Sequence, residues 1–223
     1  METAKREMTF LLGEPERRLL RWIAARLPAS WMPDHLTALG MVGAICVGGG
    51  YALSARHPGW LWLANGGLFL NWVGDSLDGT LARVRKIERP KYGYYIDHWV
   101  DAINTTMIGI GIGLSPYVDL PLAMLLVIAY LTLSINVYLE SSVFGVFEIS
   151  YGIFGPTEVR ILLFLANAGL YTAALWKGVA PGAVEEIANW VFIAVSAAMF
   201  VSLAARFNKN LQRLARVEPR KPM

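Results

Sequence analysis

The chain has 223 residues, of which 55% are hydrophobic and only 17% charged, and its mean hydropathy is +0.43. Soluble globular domains carry about 25% charged residues, so this composition excludes a disordered chain, a fibrous protein and an ordinary cytosolic domain. A helix that crosses a bilayer needs about 20 mostly apolar residues, and the sequence contains six such stretches. We therefore expect an all-α integral membrane protein whose functional site is built from the membrane helices themselves.

Residues 1–34 precede the first apolar stretch, and charged residues interrupt them too often for a cleavable signal peptide. Between Pro15 and Pro28, apolar side chains alternate with arginines, which predicts a short amphipathic helix at the membrane surface. A plain cytosolic extension is the alternative. The single cysteine, Cys46, lies in an apolar stretch and indicates neither a disulfide framework nor a zinc cluster.

The predicted spans and their flanking charges define an orientation. The six-helix membrane domain covers residues 35–207 and a basic tail covers 208–223, with spans at about 35–55, 60–83, 95–117, 120–143, 157–176 and 186–207. Of the 20 lysines and arginines, 17 lie before the first span, in residues 83–91, or from residue 206 onward. Basic residues favour the cytoplasmic side, so both termini are expected in the cytoplasm. Because the basic residues flank apolar stretches, no nucleic-acid partner is expected.

Carboxylates inside or at the ends of the predicted spans are the most informative residues. They are Asp75, Asp78, Asp97, Asp101, Glu140 and Glu158. Ionisable groups within a membrane are costly and indicate a functional site. The spacings within the two aspartate pairs, three and four residues, put each pair on one helix face, and both pairs lie near the predicted cytoplasmic ends of their spans.

Four neighbouring carboxylates repel one another unless cations neutralise them. Hard oxygen ligands without a cysteine or histidine cluster suit Mg²⁺, Mn²⁺ or Ca²⁺ rather than zinc, and two divalent ions would balance four negative charges. The sequence therefore predicts a metal site between the second and third spans, near the cytoplasmic face.

Small residues accompany these acids. Gly79 and Ala82 follow the first pair, and Gly93 lies one turn before Asp97. They leave room for a phosphorylated ligand to approach the backbone, and Arg83 can clamp a phosphate. Close helix packing, which is common in membranes, is the alternative explanation of the glycines.

Taken together, residues 75–101 resemble the signature of the CDP-alcohol phosphotransferase family. The matching positions are Asp75, Asp78, Gly79, Ala82, Arg83, Gly93, Asp97 and Asp101. Residues 33–37 are similar to the family's entry to its first span, although Asp34 stands where Asn is usual. The resemblance covers about residues 15–207 and implies six membrane helices after a surface helix. It also implies transfer of a phospho-alcohol from a CDP-linked donor to a second alcohol, with release of CMP.

The resemblance also implies roles for individual residues. Asp75, Asp78 and Asp97 would bind metal, and Asp101 would complete a two-ion site for Mg²⁺ or Mn²⁺. The residues expected to bind the CDP moiety are Asp78, Gly79, Ala82, Arg83 and Gly93, with Thr37 lining the same pocket. Membrane lipids and a second copy of the chain, in a homodimer, are the expected partners.

Two features are similar to the choline/ethanolamine phosphotransferase branch. They are Asp97-His98-x-x-Asp101 and residues 157–161, Thr-Glu-Val-Arg-Ile. That branch implies a small CDP-alcohol donor and a lipid acceptor of the diradylglycerol type, with His98, Glu158 and Asp101 as candidates for the catalytic base. The alternatives are that His98 only hydrogen-bonds at the interface and that Glu158 is a charge at a helix N-terminus.

Two other functions stay open. One is transfer from CDP-diacylglycerol to a polar alcohol such as serine, inositol or glycerol phosphate. A phosphorylated acceptor would need cations, yet residues 120–156 contain no Lys or Arg, and Arg160 is the one candidate. The other is a divalent-cation transporter. The clustering of the acids near one face disfavours a transporter, as does Arg83, which would repel the ion.

Overall fold

The computed structural model describes residues 12–144, 156–176 and 182–219, and the described residues form seven α-helices and no strand. In chain order the helices are α1 Gly13–Ala24, α2 Pro33–Ser54, α3 Leu61–Arg85, α4 Pro90–Gly113, α5 Leu120–Phe144, α6 Pro156–Trp176 and α7 Gly182–Val217. A short 3₁₀ turn, Pro58–Trp60, leads into α3. The all-α prediction is confirmed, and a helix occupies each of the six predicted spans.

Four of the described helices, α2, α5, α6 and α7, are long and apolar enough to cross a membrane. This confirms the membrane character of the protein. Helices α3 and α4 are less apolar because they carry the aspartates and buried asparagines such as Asn65, Asn71 and Asn104. Six membrane crossings therefore stay a prediction.

Local sequence explains where the helices of the site begin and end. Helix α3 stops before Lys86, which has a φ of 56° and takes the left-handed conformation common after a helix C-terminus. Proline lacks a backbone N–H and is tolerated in the first turn, so α4 begins at Pro90 rather than at the predicted residue 95. Helix α7 continues to Val217, beyond the predicted end at residue 207, because residues 208–217 contain no Gly or Pro.

Helix α2 approaches α3 and α4 closely at small residues. A Cβ added at Gly67 of α3 would lie 2.6 Å from the carbonyl oxygen of Gly43 in α2. A Cβ at Gly50 would lie 2.5 Å from the backbone nitrogen of Ala64, and one at Gly48 would lie 2.7 Å from a backbone oxygen of α4. Small residues let helix backbones come together in this way, so α2 packs against the two aspartate-bearing helices.

Helix α1 packs against the ends of α2 and α3. Leu20 and Ala24 are buried in a cluster with Leu36, Leu77 and Leu81, while Leu19 and Trp22 of the same helix are exposed. A helix therefore occupies the region where the sequence predicted one. Its position on a membrane surface stays a prediction.

A buried polar network joins α2, α3 and α6. The Tyr51 hydroxyl donates to Asn167 Oδ1 at 2.8 Å, and Asn167 Nδ2 donates to Asn65 Oδ1 at 2.8 Å. All three side chains are buried, where an unpaired polar group would be unfavourable. Because each bond joins two helices, the network fixes the position of α6 relative to α2 and α3.

We predict that Gly67→Ala destabilises the protein by about 1–3 kcal/mol, the usual cost of inserting a methyl group into a closely packed interior. The added carbon would collide with the α2 backbone, which cannot move aside as a flexible side chain can. The measurement is the thermal unfolding midpoint of the purified protein in detergent.

Gly66→Ala is the matched control. This neighbouring residue of α3 is exposed, and a Cβ there would meet no atom within 4 Å in the described part of the chain. Its unfolding midpoint should stay the same or rise slightly, because Ala favours a helix over Gly. Equal midpoints for the two variants would contradict the close contact between α2 and α3.

Candidate active site

The four aspartates of α3 and α4 line one cleft, together with residues of α2. The lining residues are Thr37, Gly40, Asp75, Asp78, Asp97, Val100, Asp101 and Asn104. The cleft is narrow and partly open to solvent. This arrangement is consistent with the sequence prediction that the two aspartate pairs share one site between the second and third spans.

Asp78 is held by donors on both carboxylate oxygens. The Thr37 hydroxyl of α2 donates to Oδ2 at 2.8 Å, and the backbone N–H of Gly79 donates to Oδ1 at 2.5 Å. Hydrogen bonds from neutral donors stabilise the charged form of a carboxylate and fix its orientation. Thr37 reaches Asp78 because α2 lies so close to α3, so the glycine contacts between these helices position a polar group in the cleft.

Asp75 is paired with an arginine from a third helix. Arg160 of α6 donates through Nη2 to Asp75 Oδ2 at 2.7 Å and to Asn71 Oδ1 at 2.9 Å. The Arg160 and Asp75 side chains are only 19% and 27% exposed, so water screens this pair weakly. Arg160 therefore neutralises part of the negative charge of the cleft.

Asp97, His98 and Asp101 form a second group at the side of the cleft. Ligating atoms of these three residues lie within 4.8 Å of one another, and His98 Nδ1 lies 3.5 Å from Asp97 Oδ2. The imidazole of His98 stacks on the Tyr138 ring at a centroid distance of 4.2 Å and meets the edge of Tyr94 at 4.1 Å. The two tyrosines hold the orientation of the His98 ring. The Asp97 side chain is 46% exposed and lies at the solvent-facing side of this group.

These donors fit a divalent cation. Each of the four aspartates offers oxygen atoms, the ligands that Mg²⁺ and Mn²⁺ prefer, and His98 adds one nitrogen. No cysteine lies among the described residues that line the cleft, so the donor set does not favour a soft metal.

The predicted CDP-binding residues lie at the end of α3 and the start of α4. Arg83 Nη2 donates to the Thr80 hydroxyl at 3.1 Å, and the atom nearest to a Cβ at Gly79 would be Nη1 of Arg83, at an ordinary contact distance of 3.4 Å. Gly93 is exposed, and a Cβ there would have no described atom within 4 Å. Helix packing therefore does not explain Gly79 or Gly93, in contrast to the glycines between α2 and α3.

Glu158 is not among the residues that line the cleft. It is buried and accepts a hydrogen bond from the backbone N–H of Leu12, at the start of α1, at 3.0 Å. Its neighbour Thr157 donates to Glu16 Oε1 at 2.7 Å, and Trp72 Nε1 donates to the same oxygen at 2.6 Å. The first turn of α6 therefore connects α1 to the rest of the molecule, a connection that the sequence pattern did not predict.

Arg85 and Arg89 anchor the segment between α1 and α2. Arg85 donates to the backbone carbonyls of residues 27, 28, 29 and 31. Arg89 donates to both oxygens of Asp34, at 2.7 and 2.9 Å, and these hydrogen bonds raise the pKa of Arg89. The acidic residue that stands in place of the usual Asn therefore has a cationic partner in the loop between α3 and α4.

Sequence reasoning missed several residues of the site. Asn104 lines the cleft one turn beyond Asp101, and Asn71 shares Arg160 with Asp75. Each of these asparagines lies three or four positions from an aspartate and therefore on the same helix face. This spacing could have identified them from the sequence. Tyr138 comes from α5, and no local spacing connects it with His98.

The fold and the cleft define a helical membrane protein with a site rich in carboxylates. Residues 30–202 match the model of the CDP-alcohol phosphatidyltransferase family. The chain belongs to this family, which confirms the resemblance seen in the sequence. It is a family of transferases that make phospholipids by moving a phospho-alcohol group from a CDP-linked donor. A search of curated proteins finds no significant match.

Proposed function

We propose that the protein transfers the phospho-alcohol group of a small CDP-alcohol, such as CDP-choline or CDP-ethanolamine, to a diradylglycerol-like lipid hydroxyl and releases CMP. The main support is the cleft itself, where four aspartates from two helices meet Thr37 from a third. Thr37 is distant in sequence from the aspartates, and close helix packing does not account for the glycine at position 93.

We propose that Asp75, Asp78, Asp97 and Asp101 bind two divalent cations, Mg²⁺ or Mn²⁺. The donor set supports this assignment, because four close carboxylates would otherwise repel one another strongly. Bound cations would neutralise the pyrophosphate and the charge that develops on the departing CMP. The chain's own part is to hold the carboxylates in place, through Thr37 for Asp78 and through the helix contacts that bring α2 against α3.

The CDP moiety would lie over the end of α3 and the start of α4, against Gly79, Ala82, Arg83 and Gly93. Two observations support this position. Gly93 has open space where a side chain would be, so a flat ligand can approach the backbone. The Arg83 guanidinium lies next to Gly79 and carries a positive charge suited to a phosphate.

In the proposed reaction, the oxygen of the lipid hydroxyl attacks the phosphorus atom that carries the small alcohol. The bond between this phosphorus and the CMP oxygen breaks, and the hydroxyl proton passes to a base of the protein. Asp101 lines the cleft, and His98 lies beside it with its ring held by Tyr94 and Tyr138. We favour these two residues as the base and assign Glu158 to the support of α1, because its carboxylate binds the start of that helix.

The distribution of cations supports an uncharged acceptor. Residues 120–156 contain no Lys or Arg, and the Arg160 side chain is engaged with Asp75 and Asn71. A phosphorylated acceptor would have to share Arg160 with Asp75, whose charge Arg160 already neutralises, whereas a neutral hydroxyl would not. We also propose that all six long helices cross the membrane, that α1 lies on the cytoplasmic surface beside the cleft, and that the protein is a homodimer.

The decisive experiment is a product assay. Purified protein is given CDP-choline, CDP-ethanolamine or CDP-diacylglycerol, each with a diradylglycerol or a polar alcohol, and CMP release is measured. We expect release from a small CDP-alcohol with the lipid acceptor, its loss in excess chelator, and its return on addition of Mg²⁺ or Mn²⁺.

Two variants provide the controls. Asp78→Asn should abolish CMP release, while Asp119→Asn should retain it, because Asp119 accepts a hydrogen bond from Asn189 of α7 and does not line the cleft. CMP release from CDP-diacylglycerol with a polar alcohol only would assign the protein to the alternative branch. Full activity in excess chelator would exclude the metal-dependent mechanism.

We predict that Gly93→Ala raises the KM for the CDP-linked donor about tenfold or more, which corresponds to about 1.4 kcal/mol of binding free energy. The described part of the protein has space for the added methyl group, so the unfolding midpoint should not fall. The measurements are steady-state kinetics and thermal unfolding. An unchanged KM would remove Gly93 from the donor site, and a large loss of stability would reassign it to helix packing.

His98 and Glu158 should respond differently to substitution. His98→Ala should lower kcat by about 10²-fold with little change in donor binding, because a general base acts in the transition state. Glu158→Gln should lower kcat by less than tenfold and increase the proteolysis of α1, because Glu158 binds the backbone N–H of Leu12, the residue just before this helix. An unchanged kcat in His98→Ala would leave Asp101 as the base. A loss of 10²-fold or more in Glu158→Gln would restore Glu158 to the base system.

A further inference from the structure

Asn104 is a buried side chain at the inner end of the cleft. It lies on α4 one turn beyond Asp101, farther from the predicted cytoplasmic end of the helix, and only 6% of the residue is exposed. Its carboxamide oxygen, Oδ1, has no hydrogen-bond partner among the described residues.

An unpaired oxygen in such a place is unusual. Most buried side-chain polar atoms in folded proteins have a hydrogen-bond partner, and those that lack one often have a functional role. A leucine has nearly the same shape as asparagine and would avoid the unfavourable desolvation of the amide. The stability of the fold therefore does not explain an asparagine at this position. This indicates that the oxygen binds a group that enters the cleft.

The position of Asn104 relative to the aspartates indicates which group its oxygen binds. Asp97, Asp101 and Asn104 lie at spacings of four and three residues and share one face of α4. The helical rise places Asn104 about 4.5 Å farther along the axis than Asp101. An amide oxygen is a hard donor of the kind that divalent cations bind. Because it is neutral, it adds a ligand without adding to the repulsion among the carboxylates.

We propose that Asn104 Oδ1 is a neutral ligand of the divalent cation that Asp101 binds. This inference rests on the proposed metal dependence of the site. The hydroxyl of the lipid acceptor and a water molecule in the cleft are the other groups that could donate to this oxygen. The metal is favoured because Asn104 shares a helix face with two of the proposed ligands.

The test measures the binding of Mn²⁺ to the full chain in detergent by electron paramagnetic resonance, without substrate. We expect Asn104→Leu to raise the Kd for Mn²⁺ about tenfold or more. The same variant should unfold at an equal or higher temperature when metal-free, because it removes an unpaired buried oxygen. Asn104→Asp keeps an oxygen at the same position and should bind Mn²⁺ within a few-fold of the natural sequence, even if Asn104→Leu fails to fold.

Asn136→Leu is the control, since Asn136 binds Glu140 on α5 and does not line the cleft. Its Kd for Mn²⁺ should not change, while Asp101→Asn should weaken binding strongly. If Asp101→Asn loses Mn²⁺ but Asn104→Leu binds it normally, the assignment of Asn104 is overturned and the metal site stands. A higher KM for the lipid acceptor with unchanged Mn²⁺ binding would overturn it in favour of the acceptor hydroxyl. Absence of Mn²⁺ binding in the natural sequence would overturn the proposed metal dependence itself.

Discussion

Repulsion among four carboxylates in apolar surroundings is the constraint on which the arrangement of the central helices depends. Part of the charge is balanced by the protein. Arg160 pairs with Asp75, Thr37 and the Gly79 backbone donate to Asp78, and Asp97 lies near water. Asp101 shares the cleft with the other three carboxylates. The four carboxylates therefore outnumber the cationic side chains that pair with them, which agrees with the proposed binding of divalent cations.

Glycine has two separate roles in this structure. At Gly43, Gly50 and Gly67 it allows helix backbones to touch, and this contact brings Thr37 within hydrogen-bond distance of Asp78. At Gly93 it touches nothing among the described residues and leaves the backbone open. The first role stabilises the helix arrangement. The second would give the proposed CDP-linked donor access to the backbone.

The first turn of α6 links the N-terminal helix to the cleft. Thr157 and Glu158 bind groups at the start of α1, and Arg160, in the same turn, binds Asp75. Neutral and charged contacts of this kind are strong where water is scarce. The position of α1 and the charge balance at Asp75 therefore depend on one short segment, although the residues concerned are more than 80 positions apart in sequence.

The sequence by itself determined the helical class, the membrane character, the family and the faces on which the aspartates lie. These follow from local properties: apolar stretches of sufficient length, spacings of three and four residues, and a specific motif. It also placed Thr37 in the same pocket as the aspartates, through the resemblance of residues 33–37.

Only the tertiary structure determined which group of another helix each residue of the site contacts. The pairing of Arg160 with Asp75, the hydrogen bond from Leu12 to Glu158 and the stacking of Tyr138 on His98 all join different helices. Helical periodicity fixes the face on which a residue lies but not the rotation or depth at which another helix packs against it. Asn104 illustrates the same limit, because its burial, and the absence of a partner for its oxygen among the described residues, depend on the helices around the cleft.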